Sequence, residues 1–236
     1  MSIADNLSQV RERIEAAARR AARQPDEIEL MAVSKTFPAE IIREAYLNGQ
    51  RLFGENRVQE FAAKAEALRQ LEGARFHMIG HLQSNKAKHA TELFDAVDSV
   101  DSLKLAERLN EAAATQAAGR RLPVLIEINT GAESAKSGLP PDSPELETLL
   151  AAAPRLEHLE IRGLMTIPPF GDDAESARPF FRQLRELRDR IAARHLPGVA
   201  MDVLSMGMSH DFEVAIEEGS TCVRIGTAIF GARTKP

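Results

Sequence analysis

A lysine closes the apolar run LMAVSKTFP (Leu30 to Pro38), and helix-forming residues follow it at once. A lysine where a strand opens into a loop either snorkels its ammonium to solvent or presents an amine for chemistry, as a nucleophile toward a carbonyl carbon. Near the other end of the chain, SMGMSHD and GTAIFG combine small residues with hydroxyls. Gly207, Gly226 and Thr227 would let backbone N–H groups approach an anion, Ser205 and Ser209 add hydroxyl donors, and Met206 and Met208 complete the first turn. Arg224 lies just before the second loop, in TCVRIG. Strand alternation puts Cys222, Arg224 and Gly226 on one face and Val223 and Ile225 on the other. If the first face is buried, the guanidinium demands an anion or an acceptor such as a ring nitrogen. An internal ion pair with Asp202 or Glu127 would satisfy it too.

Eight short β-branched or apolar runs can position these groups: residues 28–34, 51–55, 75–80, 94–100, 124–130, 159–167, 201–206 and 221–226. Helical patterns separate most of them, including PAEIIREAYLNG closed by Gly49, a segment closed by Gly119, and DAESARPFFRQLRELRDRIAARH. This alternation predicts an α/β fold, a single (β/α)8 TIM-type barrel with an additional N-terminal helix, as one domain over residues 1–236. A doubly wound open sheet is the competing architecture; even unit lengths and the lack of GxGxxG after the first strand favour the barrel. Ser2 and Asp5 form a capping-box pattern at the start of the extra helix.

In such a barrel the loops after the strands carry function, and phosphate is often held after strands seven and eight. Lys35 then follows strand one and Asn56 strand two, while His81, Gln83, Asn85 and Lys86 follow strand three and Asn129 and Lys136 follow strand five. A lysine, an anion cradle and a guanidinium on one face suit a Schiff base to a phosphorylated aldehyde, and pyridoxal 5′-phosphate (PLP) fits all three. The segments AVSKTFP, FGENRVQE, FHMIGHLQSNK, SVDS, EINTGAESAKSGL, GLMTI and LSMGMSHDFEVAIEEGSTCVRIGTAIFG resemble the PLP homeostasis protein family, related to the N-terminal domain of alanine racemase. That resemblance implies PLP on Lys35, Arg224 facing the pyridine nitrogen, Asn56 near the ring, and phosphate donors from Ser205, Met206, Gly207, Met208, Ser209, Gly226 and Thr227. It further implies a carrier or buffer of PLP in the cytoplasm rather than an established catalyst, with apo PLP-dependent enzymes as partners.

The residues agree with a modest chemical role. An arginine beside the ring nitrogen disfavours its protonation and weakens the ring as an electron sink. The single tyrosine, Tyr46, falls on the first barrel helix, where packing is its expected use, and the sequence given ends at Pro236 without a second-base domain. The alternatives are a racemase-like enzyme or a Schiff-base aldolase acting through Lys35. Lys136 is a candidate transient acceptor of the cofactor, weighed against a solvated surface lysine.

Composition excludes other classes. A net charge of −5 leaves no basic footprint for nucleic acid, and no apolar run is long enough to span a bilayer. The acids among the N-terminal arginines argue against a transit peptide, and the lone Cys222 reads as a buried, reduced thiol. His77 and His81 share helical spacing but fall on a strand and a loop, so a metal site is not expected. Asp98 and Asp101 resemble an acid pair, but Asp101 as the cap of the helix opening SLKLAERL is the favoured explanation. A monomer is expected.

Overall fold

The structure, a computed structural model, describes residues 2–116, 121–133 and 136–231. Eight parallel strands close into a barrel: β1 (Glu29–Val33), β2 (Leu52–Glu55), β3 (Arg75–Met78), β4 (Ala96–Val100), β5 (Leu122–Glu127), β6 (Leu159–Met165), β7 (Val199–Ser205) and β8 (Cys222–Ile225). Closure pairs β1 with β8, setting Met31 against Arg224. All eight predicted runs overlap a strand, with ends coinciding or differing by up to three residues. Gly119 lies outside the described residues.

Apart from Glu29, Arg75 and Asp202, the strand residues are buried or half-buried, as both faces of parallel barrel strands are covered. The outward side chains, including Phe53, Val97, Ile126, Leu164, Leu204 and Val223, merge into the shell beneath the helices. Met31, Val33, Leu52, Ile79 and Cys222 form a separate apolar cluster inside the barrel. Alternation along β8 separates Cys222 and Arg224 from Val223 and Ile225, as the sequence predicts, and the barrel makes the first pair the inward one. Burial pushes the Cys222 thiol up to about 12, which keeps it protonated and unreactive.

The surrounding helices are α1 (Ile3–Arg20), α2 (Ala39–Leu47), α3 (Val58–Leu68), α4 (Ala87–Leu93), α5 (Leu103–Ala113), α6 (Pro144–Ala152), α7 (Arg178–Ala192), α8 (Phe212–Glu217) and α9 (Thr227–Phe230). The Ser2–Asp5 capping box opens α1, which buries Leu7, Val10, Ile14, Ala17 and Ala18. This extra helix packs on α8 and α9, the two elements that follow the last barrel loops. Asn6 donates to the Ile229 carbonyl at 2.8 Å, and Arg23 donates to the carbonyls of Ile216 and Ser220 at 3.0 and 2.7 Å. The N-terminal segment therefore braces the elements that carry the anion loops. Among the described residues, no helix is long and apolar enough to cross a membrane.

Ser102, not Asp101, caps α5: its side chain accepts from Leu105 N–H, while Asp101 pairs with His81 at 3.0 Å. The hydroxyl one residue nearer the helix reaches the free N–H, which frees the carboxylate for the mouth of the barrel.

Candidate functional site

At the C-terminal ends of the strands the barrel opens into a cavity of about 690 Å³. Lys35, Asn56, Met208, Ser209, Arg224, Gly226 and Thr227 all line it. They come from the ends of β1, β2, β7 and β8, so neighbouring strands across the barrel seam converge on one space.

Lys35 is half-buried, and its loop is held from behind. Lys64 of α3 donates to the carbonyls of Ser34 and Phe37 at 3.1 and 2.9 Å and pairs with the buried Glu55 at 2.8 Å. The Ser34 hydroxyl also donates to Glu55, at 2.5 Å. A buried ion pair with these added hydrogen bonds fixes the backbone on both sides of Lys35 while leaving its side chain on the cavity wall.

Arg224 is 3% exposed. Its guanidinium donates to Ser205 Oγ and to the Thr166 carbonyl, each at 2.7 Å. Burial pulls its pKa down from the usual guanidinium value, which starts far above neutrality, so the group stays charged. Asp202 is exposed and pairs with Arg162. Glu127 is close enough to feel the Arg224 charge, yet its Oε2 has no hydrogen-bond partner among the described residues. The bonded partners of Arg224 are thus neutral acceptors rather than the two acids considered from spacing.

The turn after β7 divides its labour. Ser205 is fully buried and braces Arg224, and Met206 sends its side chain into the shell between barrel and helices. Gly207 is buried at φ +94°; a Cβ there would come within 2.5 Å of Ala215 Cβ and 2.9 Å of Phe212 Cα. These three residues lie behind the cavity wall, and Met208 and Ser209 reach it. The N–H groups opening α9 lack intrahelical partners by position, and Ala228 N–H meets Ser209 Oγ at 3.4 Å. Gly207→Ala should cost about 2–3 kcal/mol through overpacking and left-handed strain. Gly226→Ala, whose Cβ would sit an ordinary 3.5 Å from Val33, should be tolerated. Denaturant midpoints of both variants check the contrast; equal losses would contradict it.

Some cavity residues, among them Asp173 and Phe170, carry little sequence signal, while the sequence marks others without this role. Glu127 lines the cavity with His81, Asp173, His210 and Asp211. Phe170, 86% exposed, stands at the rim with its ring 6.1 Å from His210; the IPPFG loop after β6 was the available clue. Lys136 lines the cavity and donates to Glu133 at 2.9 Å and to the Pro168 carbonyl at 3.1 Å, linking the loops after β5 and β6. Tyr46 lies elsewhere, its hydroxyl donating to the Glu72 carbonyl and its ring under Arg51. His77 and His81 pair separately with Asp98 and Asp101, and no cluster able to hold a metal occurs among the described residues.

Burial and the nearby Asp101 raise the Glu127 pKa from 4.5 to about 7, against the opposing pull of Arg224 and His81. Because the folded-state value is raised, Glu127 costs nothing below about pH 4.5, and its penalty grows between 4.5 and about 7 and then levels off. Glu127→Gln should therefore gain on wild type by about 1–3 kcal/mol between pH 5 and pH 8.5. Thermal midpoints at both pH values test this; a constant gap would refute it.

The donor set suits a phosphorylated aldehyde: an amine at one wall, hydroxyls and helix N–H groups at another, a fixed guanidinium on the floor, and the half-titrated carboxyl of Glu127 in the same lining. Comparison with known proteins agrees with this chemistry. The alanine racemase N-terminal domain family matches residues 6–234. The chain is 46% identical to the pyridoxal phosphate homeostasis protein of Aquifex aeolicus, with 99% of each chain covered. It is 47% identical to the protein of the same name from Escherichia coli K12, over 98% of this chain and 97% of that one. PipY of Synechococcus elongatus PCC7942, solved with PLP bound, superposes with a TM-score of 0.83 at 39% identity, covering 98% of this chain and 100% of that one. The alanine racemase of Streptomyces coelicolor shares the fold at a TM-score of 0.70 and 23% identity, this chain matching 59% of its length. The chain belongs to the pyridoxal phosphate homeostasis protein family, a branch of the alanine racemase N-terminal domain.

Proposed function

We propose that this protein binds PLP through a Schiff base on Lys35 and serves as a cytoplasmic carrier or buffer of it, acting as a monomer and handing it to apo PLP-dependent enzymes. The observation that carries the reading is the convergence of Lys35, the Arg224 guanidinium and the Ser209–Thr227 donors on one cavity. When bound, PLP supplies an aldehyde carbon that bonds amines and a ring that can accept electrons. Lys35 provides the amine, Ser209, Gly226 and Thr227 the phosphate donors, and Asn56 a polar edge beside the ring. Ser205, Met206 and Gly207 act from behind, by holding Arg224 and shaping the turn, while Met208 contributes wall.

Arg224 disfavours a proton on the ring nitrogen, because its own charge is locked in place by Ser205 and Thr166. Racemisation also needs a second base opposite the lysine. Tyr46 is occupied outside the barrel, which supports the carrier reading over a racemase-like enzyme. A cofactor-free Schiff-base aldolase would leave the anion donors for a sugar phosphate, and the purified protein's visible absorbance separates that case.

Lys136 stays in the proposal as a transient acceptor at the mouth, since it lines the same cavity as Lys35. The test mixes loaded protein with an apo-enzyme beside a free-cofactor trap and assays racemisation of several amino acids in parallel. Reactivation that survives the trap, with negligible racemisation, is expected. Rapid racemisation would overturn the carrier reading, and reactivation abolished by the trap would leave release into solvent as the whole of its activity.

A further inference from the structure

Glu55 and Glu127 are the carboxylates whose buried oxygen has no hydrogen-bond partner among the described residues. Glu55 lies between barrel and helix, where Lys64 neutralises it through the other oxygen. Glu127 is different: it is 6% exposed, it lines the cavity, and its free oxygen is Oε2. An unpartnered buried carboxyl oxygen is costly to ionise and needs an explanation; because Oε2 is shielded while the residue lines the cavity, a carboxyl kept neutral and presenting its remaining surface to a ligand accounts for both.

Charged groups approach this space from every side. Asp101 after β4 opposes ionisation of Glu127, and Arg224 on β8 and His81 after β3 favour it. Lys35, Lys136, Asp173 and Asp211 border the same cavity, and the His77–Asp98 pair lies within the barrel. Several of these cations are already committed: Arg224 to Ser205 and Thr166, Lys136 to Glu133 and Pro168, His81 to Asp101. A phosphorylated pyridine adds negative charge, which disfavours a second anion in the same enclosed space. A neutral carboxyl, by contrast, can donate a hydrogen bond.

Resting on the PLP reading above, we propose that Glu127 is a further binding residue of this cavity: it holds a proton while the ligand is in place, donates a hydrogen bond to an anionic ligand oxygen, and loosens the ligand when it ionises. Loading then takes up a proton, and retention falls as pH rises through neutrality. The Glu127 pKa of about 7 puts that transition in the neutral range.

The test uses 4-deoxypyridoxine 5′-phosphate, which keeps the phosphate, ring nitrogen and phenolic oxygen but has no aldehyde to bond Lys35. Calorimetric titration in two buffers of different ionisation enthalpy counts protons taken up on binding to wild type, Glu127→Gln and Glu127→Ala. Wild type should take up about half a proton or more at pH 7.5 relative to either variant. Its affinity should fall about tenfold or more from pH 6.5 to 8.5 relative to Glu127→Gln, which keeps a donor and cannot ionise. Glu127→Ala should bind more weakly than Glu127→Gln, without the added pH slope. Thermal midpoints confirm that each variant is folded, and either one suffices for the proton count. Equal proton counts and parallel pH profiles in wild type and variants would overturn the inference while leaving the PLP reading intact. No binding of this probe at either pH by a protein that still forms the borohydride-stable adduct with PLP would overturn the inference alone, whereas loss of both would remove the PLP reading as well.

Discussion

Lys35→Ala should abolish the visible absorption band of the PLP-loaded protein and the borohydride-stable adduct, while moving the thermal midpoint by only a few degrees. The loss is complete because a covalent link has no partial substitute, whereas the anion donors and Arg224 would still hold the phosphate end weakly. The fold should survive because the loop's backbone is held by Lys64, which donates to the carbonyls of Ser34 and Phe37, rather than by the Lys35 side chain. A half-buried rim side chain of this kind contributes about 1 kcal/mol or less, or roughly 2–4 °C in a chain of this size. Peptide mapping of the reduced wild-type protein gives the decisive readout: an adduct confined to Lys86 or Lys136 would sink the assignment.

The second large effect is on stability. Arg224→Glu should cost about 3–5 kcal/mol, lowering the midpoint by roughly 10 °C or more. It strands the Thr166 carbonyl and the Ser205 hydroxyl, both fully buried, and puts a new carboxyl near Asp98, Glu127 and Asp211, the acids whose fields favour the present cation. Charge reversal therefore cannot isolate the ring-nitrogen contact from the packing role. Arg224→Gln, which retains donors for both acceptors, is the informative partner: it should lose less stability and still alter the spectrum of the loaded protein. Circular dichroism melts beside absorbance spectra separate the two, and an Arg224→Glu protein as stable as wild type would contradict the buried network.

The contrast between Arg224 and Glu127 explains why one barrel wall is permanent and the other responsive. Arg224 starts far from neutrality and has acceptors at both ends of its fork, so burial cannot discharge it. Glu127 starts at 4.5, has an oxygen without a donor among the described residues, and is carried by burial into the range where proteins exchange protons. The same desolvation fixes one charge and frees the other to titrate.

Local signals were enough to determine much of this protein. The apolar runs and the helical patterns between them specify the eight strands, since periods of two and 3.6 are read over a few residues. The position of Lys35 at the end of the first run and the separation of Arg224 from Val223 and Ile225 follow from the same periodicity, and the Ser2–Asp5 cap follows from residue type and spacing; that Arg224 points inward was decided by barrel closure. What the tertiary structure alone decided is which polar groups meet. Closure of β1 on β8 brings Lys35 and Thr227 to one cavity although they lie at opposite ends of the chain. Ser205 and Met206, adjacent in one turn, part company because successive strand residues face lumen and shell, so one braces a guanidinium and the other fills the wall. Asp101 yields the helix cap to Ser102 and turns to His81, a choice set by which acceptor reaches the free N–H first. Glu127 becomes a titratable cavity group only through burial and the charges of loops from other strands, quantities that no spacing in the chain encodes.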